Sequence, residues 1–383
     1  MKQSELSPGL KRMVIGVPVA TVWTTPESPR DIDMHILQNP AEIGNWASKL
    51  TANERLDLCT SNRTQTQVLY AEEVVVLEVR DGWADVRIPS QATRKDPIGY
   101  PGWIPYAQLS EWKRDIALDS DELLNAQLQV QNDAHAQDNE LAQVNAHVRN
   151  NEVQVNAKFT PMFLLSEGTE APYLELSYLT KLPLIEVIGT KVYVRSPHGI
   201  GMINKEDVIV LSGSTRIDST SLALSTPSAL STALAASEAA PDTDLASNQY
   251  HSGAEIDTGR RIAAEASRFQ GLAYLWGGLS AYGYDCSGYA YSMYASQGII
   301  IPRDASDQAL AGTEVASNQL HPGDLLFFAY EEGKGRIHHV GIYIGEGKMI
   351  HSPDSKSSIE VVELTNYKRI KEHCASRRYN EGL

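Results

Sequence analysis

Asp285-Cys286-Ser287-Gly288 sets a cysteine directly after a helix-capping residue. A helix is expected from Cys286 to about Ala295, stopped by Gly298, with Asp285 as its N-cap. That places Cys286 in the first turn. Free backbone amides and the helix dipole there stabilise a thiolate, lower its pKa, and are placed to hold a developing oxyanion. A lone cysteine serves equally well as a small buried hydrophobe, so the nucleophile reading needs a base. Arg336-Ile337-His338-His339-Val340-Gly341-Ile342-Tyr343-Ile344 supplies one. It reads as a strand, and alternation sets His339, Gly341 and Tyr343 on one face and His338, Val340 and Ile342 on the other. Gly341 is expected to leave room in front of His339, as a general base requires. After Gly345-Glu346-Gly347 a second strand, Lys348 to Ser352, brings His351 alongside the imidazole to fix its tautomer, the third role of a triad. His338, His198 and His373 read as surface or loop histidines. Zinc held by His339, His351 and Cys286 matches no compact spacing, so neither metal nor organic cofactor is expected.

Outward from this pair, Asp257 or Thr258 is placed to cap a helix from Gly259 to Phe269, and residues 251–383 have the α+β pattern of a compact domain. Residues 212–250 are rich in Ser, Thr and Ala, a flexible linker by composition. Upstream lie two stretches of short strands. In 13–115, Val74–Val79, the hairpin signal Asp81-Gly82, Trp83–Ile88 and Gly99–Tyr106 suggest a small antiparallel barrel. Helices at about 41–50 and 54–58 decorate it. In 153–211, Leu184–Gly189, Lys191–Arg195 and Gly199–Ile203 repeat that pattern. The polar segment 116–152 between them reads as an insertion or linker.

The whole chain has 383 residues, with 33 Lys and Arg against 48 Asp and Glu, for a net charge of −15. That balance excludes the basic footprint of a nucleic-acid binder and suits neither an anionic membrane nor an anionic wall polymer. Three separated cysteines give no disulfide framework. The apolar run Met13–Trp23 follows Lys11 and Arg12 as in an export signal. It is interrupted by Gly16 and Pro18 and lacks a small-residue cleavage site, so a first β-strand, Val14–Trp23, and a cytoplasmic protein are expected.

Six pieces carry a resemblance: Y-L-W-G-G (Tyr274 to Gly278), D-C-S-G (Asp285 to Gly288), P-R-D-A-S-D-Q (Pro302 to Gln308), H-P-G-D-L-L-F-F (His321 to Phe328), H-V-G-I-Y (His339 to Tyr343) and His351. In this order they make the C-terminal domain resemble the NlpC-type bacterial cell-wall cysteine peptidases. The resemblance implies a papain-like α+β fold with Cys286 as nucleophile, His339 as base, His351 as orienting residue and Tyr274 as an oxyanion contact. With T-V-W-T-T-P-E-S-P-R (Thr21 to Arg30) and G-Y-P-G-W-I-P-Y (Gly99 to Tyr106), the whole chain is similar to the γ-D-glutamyl-L-diamino acid endopeptidases that carry two bacterial SH3-like domains.

By that likeness the chain is multidomain: two small all-β SH3-like barrels plus a papain-like peptidase domain. Its partner is a small murein peptide with a free N-terminal L-Ala, not nucleic acid or membrane, and the chain is expected to act as a monomer. The amine would meet Asp304, Glu72 (or Glu73) and Tyr106 (or Tyr100), with Asp285, Ser287 and Ala305 lining the L-Ala and D-Glu positions. The sequence leaves Lys and diaminopimelate open as the following residue. Rival readings are a secreted wall hydrolase whose barrels bind murein, and a non-catalytic murein-peptide binding module.

Overall fold

The structure is a computed structural model describing residues 10–112, 151–167, 171–211 and 253–379. The expected insertion at 116–152 and linker at 212–250 lie almost wholly outside the described residues.

The apolar run at the start forms two strands, not one. β1 (Lys11–Ile15) and β2 (Val19–Trp23) are separated by a turn at Gly16-Val17-Pro18. Gly16 and Pro18 mark that turn. A Cβ on Gly16 would stand 2.6 Å from the Ser110 hydroxyl. Helices α1 (Ile43–Lys49) and α2 (Ala52–Thr60) follow, the second capped by Thr51 and Glu54 in a reciprocal box. Then come β3 (Thr64–Leu69), β4 (Glu73–Arg80), β5 (Trp83–Ile88), β6 (Tyr100–Pro105) and β7 (Leu109–Ser110), in the sheet order β3-β2-β6-β5-β4-β1-β7. Asp81 and Gly82 both take positive φ, 48° and 80°, as the hairpin between β4 and β5 demands. Alternate valines of β4 and β5 meet Met13, Ile15, Ala20 and Ile104 in the core.

The second unit comprises β8 (Glu152–Val155), β9 (Phe159–Leu164), β10 (Leu174–Ser177), β11 (Lys181–Ile188), β12 (Lys191–Ser196), β13 (Gly199–Asn204) and β14 (Val208–Leu211). Its order, β10-β9-β13-β12-β11-β8-β14, is that of the first unit shifted by seven. The two β units therefore share a topology, although the first inserts two helices where the second has a short connection.

The C-terminal domain begins with α3 (Gly253–Ser267), six residues earlier than the capping signal suggested, and the small hairpin β15 (Leu279–Ser280) and β16 (Gly283–Tyr284). α4 (Cys286–Ala295) and α5 (Ala305–Gln308) precede an antiparallel sheet ordered β17-β22-β18-β19-β20-β21. Its strands are β17 (Thr313–Glu314), β18 (Leu325–Ala329), β19 (Ile337–Gly345), β20 (Lys348–His351), β21 (Glu360–Glu363) and β22 (His373–Arg378). Every residue of α4 is buried, so this helix is enclosed on all sides. Phe327, Val340, Ile342 and Ile350 of the sheet share its core cluster, and Tyr291 reaches across to the carbonyl of Ser90 in the first β unit at 2.9 Å.

Both β units sit against this domain. The Thr64 hydroxyl donates to the Trp276 carbonyl, and the Trp276 indole returns a bond to the Thr64 carbonyl at 3.1 Å. Gln67 accepts from the Leu279 amide and the Ser280 hydroxyl. From the second unit, Ser177 accepts from the Ala281 amide and Tyr178 donates to Glu265 at 2.6 Å. No helix among the described residues is long and apolar enough to cross a membrane.

Candidate functional site

Asp285 caps α4 through Oδ1, which accepts the Gly288 amide at 2.6 Å, while Oδ2 accepts the Gly277 amide at 3.0 Å. The fully buried Arg303 completes this arrangement. Its two terminal nitrogens bond Asp285 Oδ1 at 3.1 Å and Oδ2 at 2.7 Å, one also bonds the Ser287 hydroxyl at 3.0 Å, and Nε donates to Thr66 of β3 at 2.9 Å. Burial works against the Arg303 charge, but Asp285 outweighs it and the guanidinium is held above its ordinary value. Both carboxylate oxygens of Asp285 are thus engaged by the protein. They position the helix that carries Cys286. Ser287 is likewise buried and bonded within this network.

Cys286 departs from expectation in its acidity. The helix terminus predicts a lowered thiol pKa, yet burial, and then the Asp285 charge, push it up to about 12. Hydrogen bonds from the Val340 and Ser287 amides and the Arg303 charge pull it down without overcoming desolvation. His339, 1% exposed, is held well below the ordinary histidine value, chiefly by burial and next by His351. Its Nε2 lies 2.7 Å from His351 Nδ1. His351 is lowered to about 4 by burial, then by Arg369 and Lys368. Burial thus disfavours charge on the thiol and on both imidazoles.

The strands explain this placement. His339 lies opposite Phe328 in β18, and β20 runs antiparallel to β19, which brings His351 to it. Gly341 acts differently from the expectation. A Cβ there would stand 2.3 Å from Met349 Sδ and 3.2 Å from His351 Cβ, so the glycine admits the β20 side chains and does not open space before the base. His351 Nε2 makes no hydrogen bond and lies 3.6 Å from Glu360 Oε1, directly across the β20–β21 register. Tyr274 is buried, and burial together with the Cys286 charge keeps its phenol well above the ordinary value, hence protonated and able to donate.

Tyr367 was not legible in the sequence as part of this site. Its ring stands edge-on to His351 and Phe328 at 5.3 and 5.2 Å between centroids. No motif marks it; only the return of the chain after β21 brings it there. Cys59 and Cys374 are free thiols outside this pair, and no group of metal-ligating side chains occurs among the described residues.

The residues expected at the amine divide. Asp304 stands in the N-cap position of α5, but its side chain caps nothing. Its Oδ1 accepts the Tyr100 hydroxyl at 2.7 Å. Tyr106 is corrected: Pro105 ends β6, the next residue enters a turn, and the Tyr106 ring is 36% exposed, on the side of Lys11. Glu72 accepts from the Ser90 hydroxyl and the Leu69 amide and influences Tyr291 of α4, whereas Glu73 pairs with Arg12. Glu72, not Glu73, therefore faces the peptidase domain. Ala305 is the first residue of α5 and packs on the α4 core.

A cysteine on a buried helix N-terminus, set against the backbone of the strand that carries His339, the first of two hydrogen-bonded histidines, fits a cysteine peptidase of papain-like α+β fold. The chain belongs to the NlpC/P60 family, whose model matches residues 271–378, and a YKFC SH3b2 domain model matches 155–210. The gamma-D-glutamyl-L-lysine dipeptidyl-peptidase of Bacillus subtilis (strain 168) is 36% identical over 360 residues, spanning 94% of this chain and 96% of that protein. The protein of the same name from Bacillus cereus (strain ATCC 10987 / NRS 248) is 32% identical over 366 residues, 95% of this chain and 90% of the relative. The crystal structure of an NlpC/P60 family protein from Bacillus cereus ATCC 10987 superposes with a TM-score of 0.73 at 29% identity, covering 96% of this chain and 99% of that one.

Proposed function

We propose that this peptidase hydrolyses the γ-D-Glu–diamino acid bond of murein peptides that carry a free N-terminal L-Ala, in the recycling of wall fragments inside the cell. His339 takes the thiol proton as Cys286 Sγ attacks the γ-carbonyl carbon, and Tyr274 and the first amides of α4 donate to the oxyanion. The C–N bond breaks, and the imidazolium gives its proton to the departing amine of the diamino acid. Water, deprotonated by His339, then cleaves the thioester and frees the thiol. His351 holds the His339 ring through the 2.7 Å Nε2–Nδ1 bond, so that Nδ1 is the nitrogen left to serve the thiol. Each proton that His339 takes up is given back within the same half-reaction, to the leaving amine in acylation and to Sγ in deacylation.

The observation that carries the substrate end of this reading is the 2.7 Å bond between Tyr100 of the first β unit and Asp304 of the peptidase domain. It puts a carboxylate at the seam, one residue from the Arg303 that braces Asp285 and the nucleophile's helix. A substrate ammonium there gains a charge-assisted bond that an acylated or glycan-linked N-terminus does not. The names borne by the two Bacillus relatives support the γ-D-glutamyl bond as the one cut.

The test is hydrolysis of L-Ala-γ-D-Glu-L-Lys beside its N-acetylated form, with Cys286→Ala as the blank. Cleavage of the free amine alone is expected. Equal cleavage of both would mean an open groove and favour a hydrolase of intact wall, and cleavage of neither would refute the substrate assignment.

A further inference from the structure

The carboxylate of Asp304 already has a cation. Lys95 Nζ lies 2.9 Å from Asp304 Oδ2 and 3.4 Å from Gln65 Oε1, donates to the Tyr100 hydroxyl, and sits 4.2 Å from the centroid of the Tyr100 ring. A carboxylate, an amide carbonyl, a phenol oxygen and an aromatic face are together a cage for one primary ammonium. The loop that carries Lys95 is pinned on both sides of the seam. Asp307 of α5 accepts the Arg94 amide at 2.9 Å, the Arg94 Nε at 2.7 Å and the Thr93 hydroxyl at 3.3 Å, and the Lys95 amide donates to Thr93 Oγ1 at 3.2 Å. The backbone is therefore fixed, while the Lys95 side chain, 42% exposed on a flexible stem, is free to leave.

We propose that Lys95 is a resident stand-in for the substrate ammonium: it fills the Asp304–Gln65–Tyr100 cage in the unliganded enzyme, and the incoming N-terminal amine must displace it. This rests on the reading of Asp304 as the amine site. The arrangement sets specificity. A peptide end without a positive charge cannot exchange with Lys95, so it meets a cage that is full as well as one that is mismatched. The lysine also spares the enzyme an unpaired carboxylate between turnovers. The cost of displacing it is that of one partly exposed ion pair, which corresponds to roughly a 1.4- to 5-fold weakening of substrate affinity.

Titration calorimetry in the inactive Cys286→Ala protein, with L-Ala-γ-D-Glu-L-Lys as the probe, tests this. Lys95→Met is expected to tighten Kd roughly 1.4- to 5-fold, and this gain is expected to vanish when Asp304→Asn is added, since no carboxylate then remains to compete for. An unchanged Kd in Lys95→Met would overturn the proposal. A weaker Kd would overturn it too, because Lys95 would then be a direct substrate contact. A gain that persists with Asp304→Asn would place the competition elsewhere and refute the assignment. Failure of the underlying reading is separately visible: the Cys286→Ala protein with Lys95 intact would bind the free and N-acetylated peptides equally.

Discussion

Replacing Arg303 with Met removes the cation that holds the nucleophile's helix to the first β unit. Arg303 makes two bonds to the Asp285 carboxylate, one to the Ser287 hydroxyl and one to Thr66, all out of water. Its loss leaves Asp285, 5% exposed, with only the Gly277 and Gly288 amides and one hydroxyl to offset its charge. Removing one partner of a buried pair typically costs about 3–5 kcal/mol, and the loss of stability on Arg303→Met is expected in that range. Asp285→Asn keeps an oxygen to accept the Gly288 amide and removes the orphaned charge. The double variant is therefore expected to cost less than the sum of the two single ones, with a coupling of about 1–3 kcal/mol. Urea unfolding followed by tryptophan fluorescence gives all three numbers; Trp276, which bonds to Thr64 across the same seam, is one of the chain's six reporters. Arg303 also holds the Cys286 thiol down, so alkylation of Cys286 by iodoacetamide, corrected with a Cys286→Ala blank, slows in Arg303→Met at fixed pH. Additive single variants, or a cost below about 1 kcal/mol, would refute the argument that this pair is desolvated and mutually dependent.

Because burial lowers both His339 and His351, the base form survives acidification, and the acid limb of kcat/KM should lie below pH 6.5, the ordinary histidine value. An acid limb above that would contradict it. The thiol near 12 sets no alkaline limb in the working range, so activity on the free-amine peptide should fall near pH 8 as the substrate amine loses its proton. Gly341→Ala drives a Cβ into Met349 Sδ at 2.3 Å; a loss of about 1–3 kcal/mol is expected, and Met349→Ala in the same chain should restore part of it on urea unfolding. Tyr100→Phe deletes a bond to the Asp304 carboxylate and should raise KM about tenfold or more, whereas Tyr106→Phe should leave KM unchanged; the reverse ranking would refute the assignment of Tyr100.

The parts of this protein that were legible in its sequence are those whose physics is local. Asp285 announces an N-cap, and the helix starts at Cys286 as the capping rule dictates. Asp81-Gly82 announces a two-residue turn, and strand alternation with a short turn brings His351 to His339. The misses all depend on packing between distant segments. A helix terminus lowers a thiol pKa while burial raises it; the enclosure of α4 by the sheet and the first β unit makes burial the larger effect, and no window around Cys286 contains that information. Tyr100 and Tyr106 are indistinguishable by composition, and the choice is made by Pro105, which ends the strand and turns the later ring outward. Gly341 reads as a space left for chemistry until its neighbour on the next strand is known to be Met349. Asp304 invites reading as a cap, and only the opposing loop reveals that its carboxylate is spent on Tyr100 and Lys95.

In the proposed reaction Cys286 becomes acylated by the L-Ala-γ-D-Glu half of the substrate. Acid quenching of the enzyme within one turnover of L-Ala-γ-D-Glu-L-Lys, followed by intact-mass and peptide-mapping mass spectrometry, reads this directly. An adduct equal to L-Ala-γ-D-Glu less water is expected on the peptide that contains Cys286, absent in Cys286→Ala and lost on standing at neutral pH. Turnover without any adduct on Cys286, or an adduct that survives Cys286→Ala, would contradict it.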